Sequence, residues 1–512
     1  MVSDTFGVRH VLDKRAWLEA RWSTPLILAG LTAISLLLRT RILNAGFWID
    51  EGLSVGIAHH HWTSIPHVLK QDGSPPAYYM LLGLWIRVFG DGERATHTLS
   101  LIFALGCIPL AYAVAKSLFG RTTAIVVALL AAFDPYLTYY AQETRMYTME
   151  AFLSLLVAWA YVNGVLRGSR RWCVALVLSL TLLLYTHLWA LFVCAALAAT
   201  TAIVARERWR EFLGVAVGVA ILFAPWLPTL LYQVRHTGAP WSTSPNIHDL
   251  VLAPGAVLQG DGPLMAFALV GGVGLAAHIR KRDDAERVVL LGLLWSVAIT
   301  VLLAWVASQV SPAWTTRYFA VVVGAVLLVA ARGLVEARRL GLIALVLIIF
   351  VWTGYSAHND KENARQLAAA LTTHPGELLI STHPEQIPVL RYYFGPSLRY
   401  ANTFGPVKDP QVFDWADAVS RLRASPPQKT LDELLATVPK GQDFIVITPV
   451  FRDYRAWDAK WTKLVWQTST VWTSLLQHDS RVQEVGHVST NEIALHLNYF
   501  KPLQAFVYRR LR

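Results

Sequence analysis

Apolar runs long enough to cross a bilayer recur along this chain from residue 25 to residue 356, with short connections between them. Backbone polar groups inside hydrocarbon must be satisfied within the spanning segment itself, so a chain written this way folds as membrane helices. Spans are expected near 25–43, 97–116, 122–141, 147–166, 172–187, 188–205, 211–231, 263–279, 288–308, 317–332 and 340–356. The expected fold class is a polytopic α-helical membrane protein of about eleven helices, in keeping with 54% hydrophobic residues and a mean hydropathy of +0.42. The net charge of +11 lies largely in the connections, where Lys and Arg set topology, so nucleic acid is not an expected partner. Cys107, Cys173 and Cys194 all fall inside apolar runs, which fits packing and neither a disulfide framework nor a thiolate metal site.

The segment 75–89 decides the topology. If it does not span, Lys116/Arg121, Arg167/Arg170/Arg171, Arg206/Arg208/Arg210, Arg280/Lys281/Arg282/Arg287 and Arg332/Arg338/Arg339 share one side with the basic N-terminal arm of Arg9, Lys14, Arg15 and Arg21. If it spans, the positive-inside bias inverts. It is therefore expected along the outer interface, with its aromatic residues at headgroup level. Arg39 and Arg41, at the outer end of the first span, run against the bias. The first span, lacking a small-x-small cleavage site, reads as an uncleaved anchor.

This topology gathers polar clusters on one face. They are Asp50/Glu51, then Asp72-Gly73-Ser74-Pro75-Pro76, then Gln142-Glu143-Thr144-Arg145-Met146-Tyr147 with Glu150, joined by His187 and by Arg317-Tyr318. Carboxylates at a membrane boundary are costly unless paired or used, so a shared external site is expected.

The order Trp-x-Asp-Glu, Asp-Gly-x-Pro-Pro-x-Tyr-Tyr, Phe-Gly, Tyr-x-Gln-Glu-x-Arg-Met-Tyr, Tyr-Thr-His and Thr-Arg-Tyr resembles the GT-C membrane glycosyltransferases. Within them it is similar to the bacterial relatives of protein O-mannosyltransferases and of the lipid A aminoarabinose transferase. The resemblance covers roughly residues 25–356. It implies an inverting, mannosyltransferase-like hexosyl- or pentosyltransferase using a polyprenyl-phosphate-linked sugar at the outer face of the plasma membrane, with a glycan, lipid or protein as acceptor. Membrane lipids are partners by location. A divalent cation is compatible with such a site, and no cofactor is otherwise implied. Rival readings are a pyrophosphate-lipid-dependent oligosaccharide transferase or ligase and, in a different class, a lipid-linked sugar transporter or flippase. The latter would place ionisable residues at the bilayer midplane and show internal repeats.

On this resemblance Asp50 is the candidate base, with Glu51 sharing the role or orienting it; the plain alternative is that the pair caps a helix. Arg145 is the candidate phosphate ligand, because the outer side is poor in cations; ion pairing with Glu143 or Glu150 competes with that role. Relatives often carry Arg where His97 stands and His or Lys where Ser74 stands, leaving Arg94, Arg145 or Arg317 to supply the charge. Asp72, Glu143, Glu150, Tyr147, His187 and Tyr318 complete the candidate substrate-binding set. The run His59-His60-His61 with His67 lacks the spacing of a closed zinc site. Asp134-Pro135 reads as a turn or kink.

The expected organisation is a transmembrane catalytic domain over 1–356, including an external loop and interfacial helix over 44–96, followed by a soluble extracytoplasmic α/β domain over 357–512. Strands are expected at 377–382, 443–448 and 506–509, and helices near 384–394, 411–423 and 455–478. No Gly-rich phosphate loop supports nucleotide binding there.

Overall fold

The structure is a computed structural model that describes residues 23–281, 285–355, 361–451, 457–489 and 502–512. The basic arm ahead of Ser23 lies outside the described residues. Helix α1 (Ser23–Leu38) is followed by three short helices, α2 (Ile49–His59), α3 (Ile65–Asp72) and α4 (Ala77–Phe89). Next come α5 (Glu93–Phe119), α6 (Arg121–Phe133), α7 (Pro135–Tyr140), α8 (Tyr147–Tyr161), α9 (Arg170–Thr186) and α10 (Ala190–Val204). The rest of the helical region is α11 (Trp209–Phe223), α12 (Leu227–His236), α13 (Ile247–Leu258), α14 (Asp261–Ala266), α15 (Gly272–Lys281), α16 (Ala285–Val310), α17 (Ala320–Glu336) and α18 (Arg338–Thr353). A helix stands at every expected apolar run. Six stretches are long and apolar enough to cross a membrane by length and composition: 93–119, 147–166, 206–236, 261–280, 285–310 and 316–336. The segment 75–89 holds only the 13-residue α4.

Two runs end earlier than their hydropathy suggests. The first stops at Leu38 instead of 43, and the run 122–141 breaks at Asp134, whose side chain accepts a hydrogen bond from the Leu137 backbone N–H at 2.8 Å and so starts α7. Pro135 occupies the first position of α7, where its missing N–H costs nothing to α7 itself. That missing N–H would have served the Ala131 carbonyl, four residues back. The fully buried Arg39 serves it instead, donating to Ala131 O at 2.6 Å and to Ala104 O at 2.9 Å. The cation that ran against the charge bias is therefore a backbone clamp at a proline break.

The C-terminal region is a six-stranded mixed sheet of order β3-β2-β1-β4-β6-β5. The strands are β1 (Leu378–Ser381), β2 (Arg399–Asn402), β3 (Gly405–Pro406), β4 (Asp443–Pro449), β5 (Val482–Val488) and β6 (Leu503–Arg510). β2, β1 and β4 run parallel, and β3, β5 and β6 pair antiparallel. β1 and β4 are buried on both faces, which is why they read as unbroken apolar runs. Their alternate residues divide between two layers. Leu378, Ile380, Phe444 and Val446 meet Leu431 of α22 and Trp472 of α23, whereas Leu379, Ile445 and Ile447 join the large core that continues into the membrane helices. The helices are α19 (Ala364–Ala370), α20 (Ile387–Phe394), α21 (Ala418–Ala424), α22 (Pro427–Ala436) and α23 (Lys460–His478). The helix expected over 411–423 is confined to α21, because Asp414 and Asp417 bind backbone and imidazole partners in the turn before it. Residues 455 and 456, at the start of the helix expected at 455–478, lie outside the described residues.

The sheet region sits directly on α2. Two glycines make that contact: a Cβ on Gly52 would lie 2.5 Å from Val389 of α20, and one on Gly56 would lie 1.9 Å from the Gln411 carbonyl oxygen. Only a bare helix face allows this approach. His60 Nε2 pairs with Asp409 at 2.8 Å, and the Trp415 N–H donates to Gln71 O at 2.9 Å, so α2 and α3 are fastened to the C-terminal region along their length.

Candidate active site

Asp50 and Glu51 occupy the first turn of α2, where the helix dipole favours acids. Successive helical residues diverge by about 100°, and the two carboxylates accordingly meet different surroundings. Glu51 is fully buried. It accepts hydrogen bonds from the Thr144 N–H at 2.7 Å and from Lys361 Nζ at 2.8 and 2.9 Å, and it faces His97 Nε2 at 2.7 Å. Lys361 also donates to Gln142 O at 2.8 Å. Burial pushes the Glu51 carboxyl up, but Lys361 and His97 outweigh it and hold it down, at about 2. Every approach to Glu51 is taken by protein. Its geometry is that of an anchor, and the capping role weighed above also applies, the Trp48 N–H reaching Glu51 Oε2 at 3.4 Å.

Asp50 lies on the other side of the helix, about a fifth exposed, and its carboxylate meets one guanidinium, Arg317 at 3.3 Å. The Arg317 guanidinium in turn rests over the rings of Trp241 at 4.7 Å and Trp48 at 5.4 Å, which fix a cation without neutralising it. Arg145 approaches the same spot. It donates to Ser54 Oγ at 2.9 Å, to the Tyr79 hydroxyl at 3.3 Å and to the Asp50 carbonyl at 3.4 Å. Among the described residues no carboxylate lies within ion-pair distance of Arg145, so the pairing with Glu143 or Glu150 is not formed. Glu150 instead faces His187 Nδ1 at 3.1 Å. Glu143 is enclosed, and burial pushes its carboxyl up to about 7 while Lys361 pulls the other way.

The rings of Tyr147, His187 and Tyr318 pack together beneath these charges, His187 and Tyr318 at 4.5 Å and Tyr147 and Tyr318 at 6.4 Å. A cavity of about 320 Å³ opens beside them. Arg145, His187 and Ser74 line its polar part, and Phe192, Leu230 and Val234 carry it into apolar surroundings. Asp72 ends α3 just before Gly73, whose φ of 97° turns the chain toward Ser74, and lies within electrostatic reach of Arg145 and Asp50.

Two candidates stand elsewhere. Arg94 is exposed on α5 and lines a separate depression with Trp85 and Phe89. His97 has both ring nitrogens engaged, on Glu51 and on Leu43 O at 2.8 Å, and so serves the Glu51 anchor. The three adjacent imidazoles diverge, to Asp91, Asp409 and Thr63. Among the described residues no group of three or more His, Cys, Asp and Glu could hold a metal ion. Sequence reading missed Lys361, Ser54 and Trp241. The first is separated from Glu51 by more than three hundred residues, and nothing local marks it.

Residues 73–232 match the family model described as dolichyl-phosphate-mannose-protein mannosyltransferase. This segment carries Ser74, Glu143, Arg145, Tyr147, Glu150 and His187. No curated protein sequence matches the chain. Among solved structures the chain resembles ArnT from Cupriavidus metallidurans bound to undecaprenyl phosphate, with a TM-score of 0.59 at 14% identity over 95% of this chain and 98% of that one. It also resembles the oligosaccharyltransferase AglB from Archaeoglobus fulgidus in complex with an inhibitory peptide and a dolichol phosphate, with a TM-score of 0.51 at 12% identity over 85% of this chain and 70% of that one. The chain has the fold of these membrane glycosyltransferases.

Proposed function

We propose that this protein is an inverting glycosyltransferase that moves a sugar from a polyprenyl-phosphate donor to an acceptor hydroxyl at the outer face of the plasma membrane. The observation that carries this reading is one accessible carboxylate, Asp50, meeting Arg317, next to a second guanidinium, Arg145, that reaches the Asp50 backbone and lines a cavity turning from polar to apolar. A lipid phosphate needs that sequence of surfaces: cations for the head, hydrocarbon for the chain. The solved relatives support it, since their structures hold undecaprenyl phosphate and dolichol phosphate.

In this reading Asp50 takes the proton of the acceptor hydroxyl as its oxygen attacks the anomeric carbon. The bond from that carbon to the phosphate oxygen breaks on the opposite face, inverting the configuration, and the polyprenyl phosphate leaves with the electron pair. Arg145 and Arg317 stabilise the charge that collects on the leaving phosphate. His187, Tyr147 and Tyr318 shape the floor that holds the sugar, and Glu150 orients His187. Glu51 works at a distance, keeping the first turn of α2 in place.

Donor binding is tested on Arg145. Replacing it with Ala should weaken undecaprenyl phosphate binding by about 10- to 100-fold, the value of a charge-assisted hydrogen bond to phosphate. Lys should restore only part, because it keeps the charge without the planar fork. Unchanged affinity in folded Arg145→Ala would remove the phosphate role and leave Arg317. The side of the membrane is tested with a cysteine at Gly92, between α4 and α5, which should react with an impermeant thiol reagent in intact cells. Protection there would reverse the topology.

A further inference from the structure

A cavity of about 700 Å³ lies where the C-terminal sheet region meets α2, and the proposed reaction makes no use of it. Gly52, Val55, Gly56 and His59 of α2 line it, whereas Ser54 points toward Arg145 and the Asp50 carboxylate toward Arg317. The helix thus separates this cavity from the cluster of Asp50, Arg145 and Arg317. The far wall is α20 and the loop after it, through Arg391, Tyr392 and Tyr393.

Most of the polar groups around this cavity already have partners. Asp91 faces His59 at 3.0 Å, and Glu93 meets Arg365 at 3.3 Å. Asp409, in electrostatic reach of Arg391, is already held by His60 at 2.8 Å and by the Gln411 N–H at 3.1 Å. The tyrosine hydroxyls are also satisfied from within, Tyr392 donating to Asp91 O and Tyr393 to Glu93 Oε1. Arg391, half-buried, has no hydrogen-bond or ion-pair partner among the described residues. Of the two guanidinium groups that line the chamber, it is the one without a carboxylate partner among the described residues.

Glu93 is shared with a second depression of about 490 Å³ that contains the tilted rings of Trp85 and Phe89, with centroids 4.1 Å apart, and the exposed Arg94. The apolar residues Leu84, Val88 and Phe89 of α4 are open beside it. A polar chamber with a free guanidinium thus adjoins an aromatic and aliphatic surface of the kind that sits at headgroup level. We propose that this junction binds the anionic headgroup of a membrane lipid, with Arg391 gripping the phosphate and the lipid tails lying along α4. Because membrane helices and C-terminal sheet region both line the chamber, an occupant would tie the two together and stabilise the folded chain.

The test is thermal unfolding of the detergent-purified full chain with phosphatidylglycerol or phosphatidylcholine added to the micelles. Phosphatidylglycerol should raise the melting temperature by at least about 2 °C, and phosphatidylcholine should not. Arg391→Gln, which keeps hydrogen-bonding shape without the charge, should melt like the parent without lipid and lose the rise, whereas Arg391→Lys should keep part of it. A rise retained in Arg391→Gln, or abolished by Arg145→Ala instead, would place the binding elsewhere and overturn the proposal. An equal rise with free glycerol phosphate would make a soluble phosphate the ligand and overturn the lipid assignment.

Discussion

Asp50→Asn is expected to lower turnover by on the order of two to four decades while leaving undecaprenyl phosphate affinity within a few-fold of the parent. Asn keeps the volume and the hydrogen-bonding outline but cannot accept the acceptor's proton. A base acts chiefly in the transition state, so the ground-state grip on the lipid phosphate by Arg145 should survive its loss. The one direct partner that changes is Arg317, at 3.3 Å, which loses a countercharge but keeps its seat over Trp241 and Trp48. Single-turnover rates and lipid binding on the same preparation separate these effects. Near-normal turnover in Asp50→Asn, with Glu51→Gln folded and inactive, would move the base to Glu51 and contradict the division of labour drawn from burial.

Lys361→Met should be the most damaging substitution for stability. It removes the ammonium that bridges both Glu51 oxygens and the Gln142 carbonyl, leaving an acid of zero exposure with only His97 and backbone N–H groups beside it. Breaking a buried ion pair on one side costs about 3–5 kcal/mol, because the remaining charge stays desolvated. The variant should melt several degrees lower. Glu51→Gln in the same chain should recover much of that loss, since it deletes the stranded charge. The pair also joins the start of the C-terminal region to the first turn of α2, which carries Asp50, and to the loop that carries Arg145, so turnover should fall with it. A Lys361→Met protein that melts like the parent would show that the contact is not formed in solution.

The helical region was readable because hydropathy alone forces it: hydrocarbon leaves a span no other way to satisfy its backbone. Its breaks were less readable. Arg39 looked like an exception to charge bias because its partner, the Ala131 carbonyl, exists only once Pro135 has broken the helix and the two segments have packed together. Strands β1 and β4 announced themselves as apolar runs, while β5, with four exposed residues in its span of seven, carries almost no period and was missed. β2, as short as β1, reads Arg-Tyr-Ala-Asn rather than as an apolar run, and β3 has only two residues.

The candidate site divides along the same line. Asp50, Arg145, His187 and Arg317 were legible because each interrupts a local pattern, as a charge or imidazole at the end of an apolar run. Their convergence could be inferred from topology without knowing any distance. What could not be inferred was which of two adjacent acids stays accessible, since that depends on Lys361 and His97 arriving from distant segments to enclose Glu51. Arg94 shows the converse: an exposed cation in the right stretch of sequence, turned toward a different depression. Local pattern names the groups available, and long-range packing assigns their work.

The most direct test of the account is to incubate the purified chain with an acceptor-free, radiolabelled sugar linked to undecaprenyl phosphate and to follow release of the label. The account predicts slow hydrolysis, water standing in for the acceptor hydroxyl, that inverts the anomeric centre, frees undecaprenyl phosphate and disappears in Asp50→Asn. Tight binding with no cleavage across a panel of sugars, or cleavage that persists undiminished in Asp50→Asn, would contradict it.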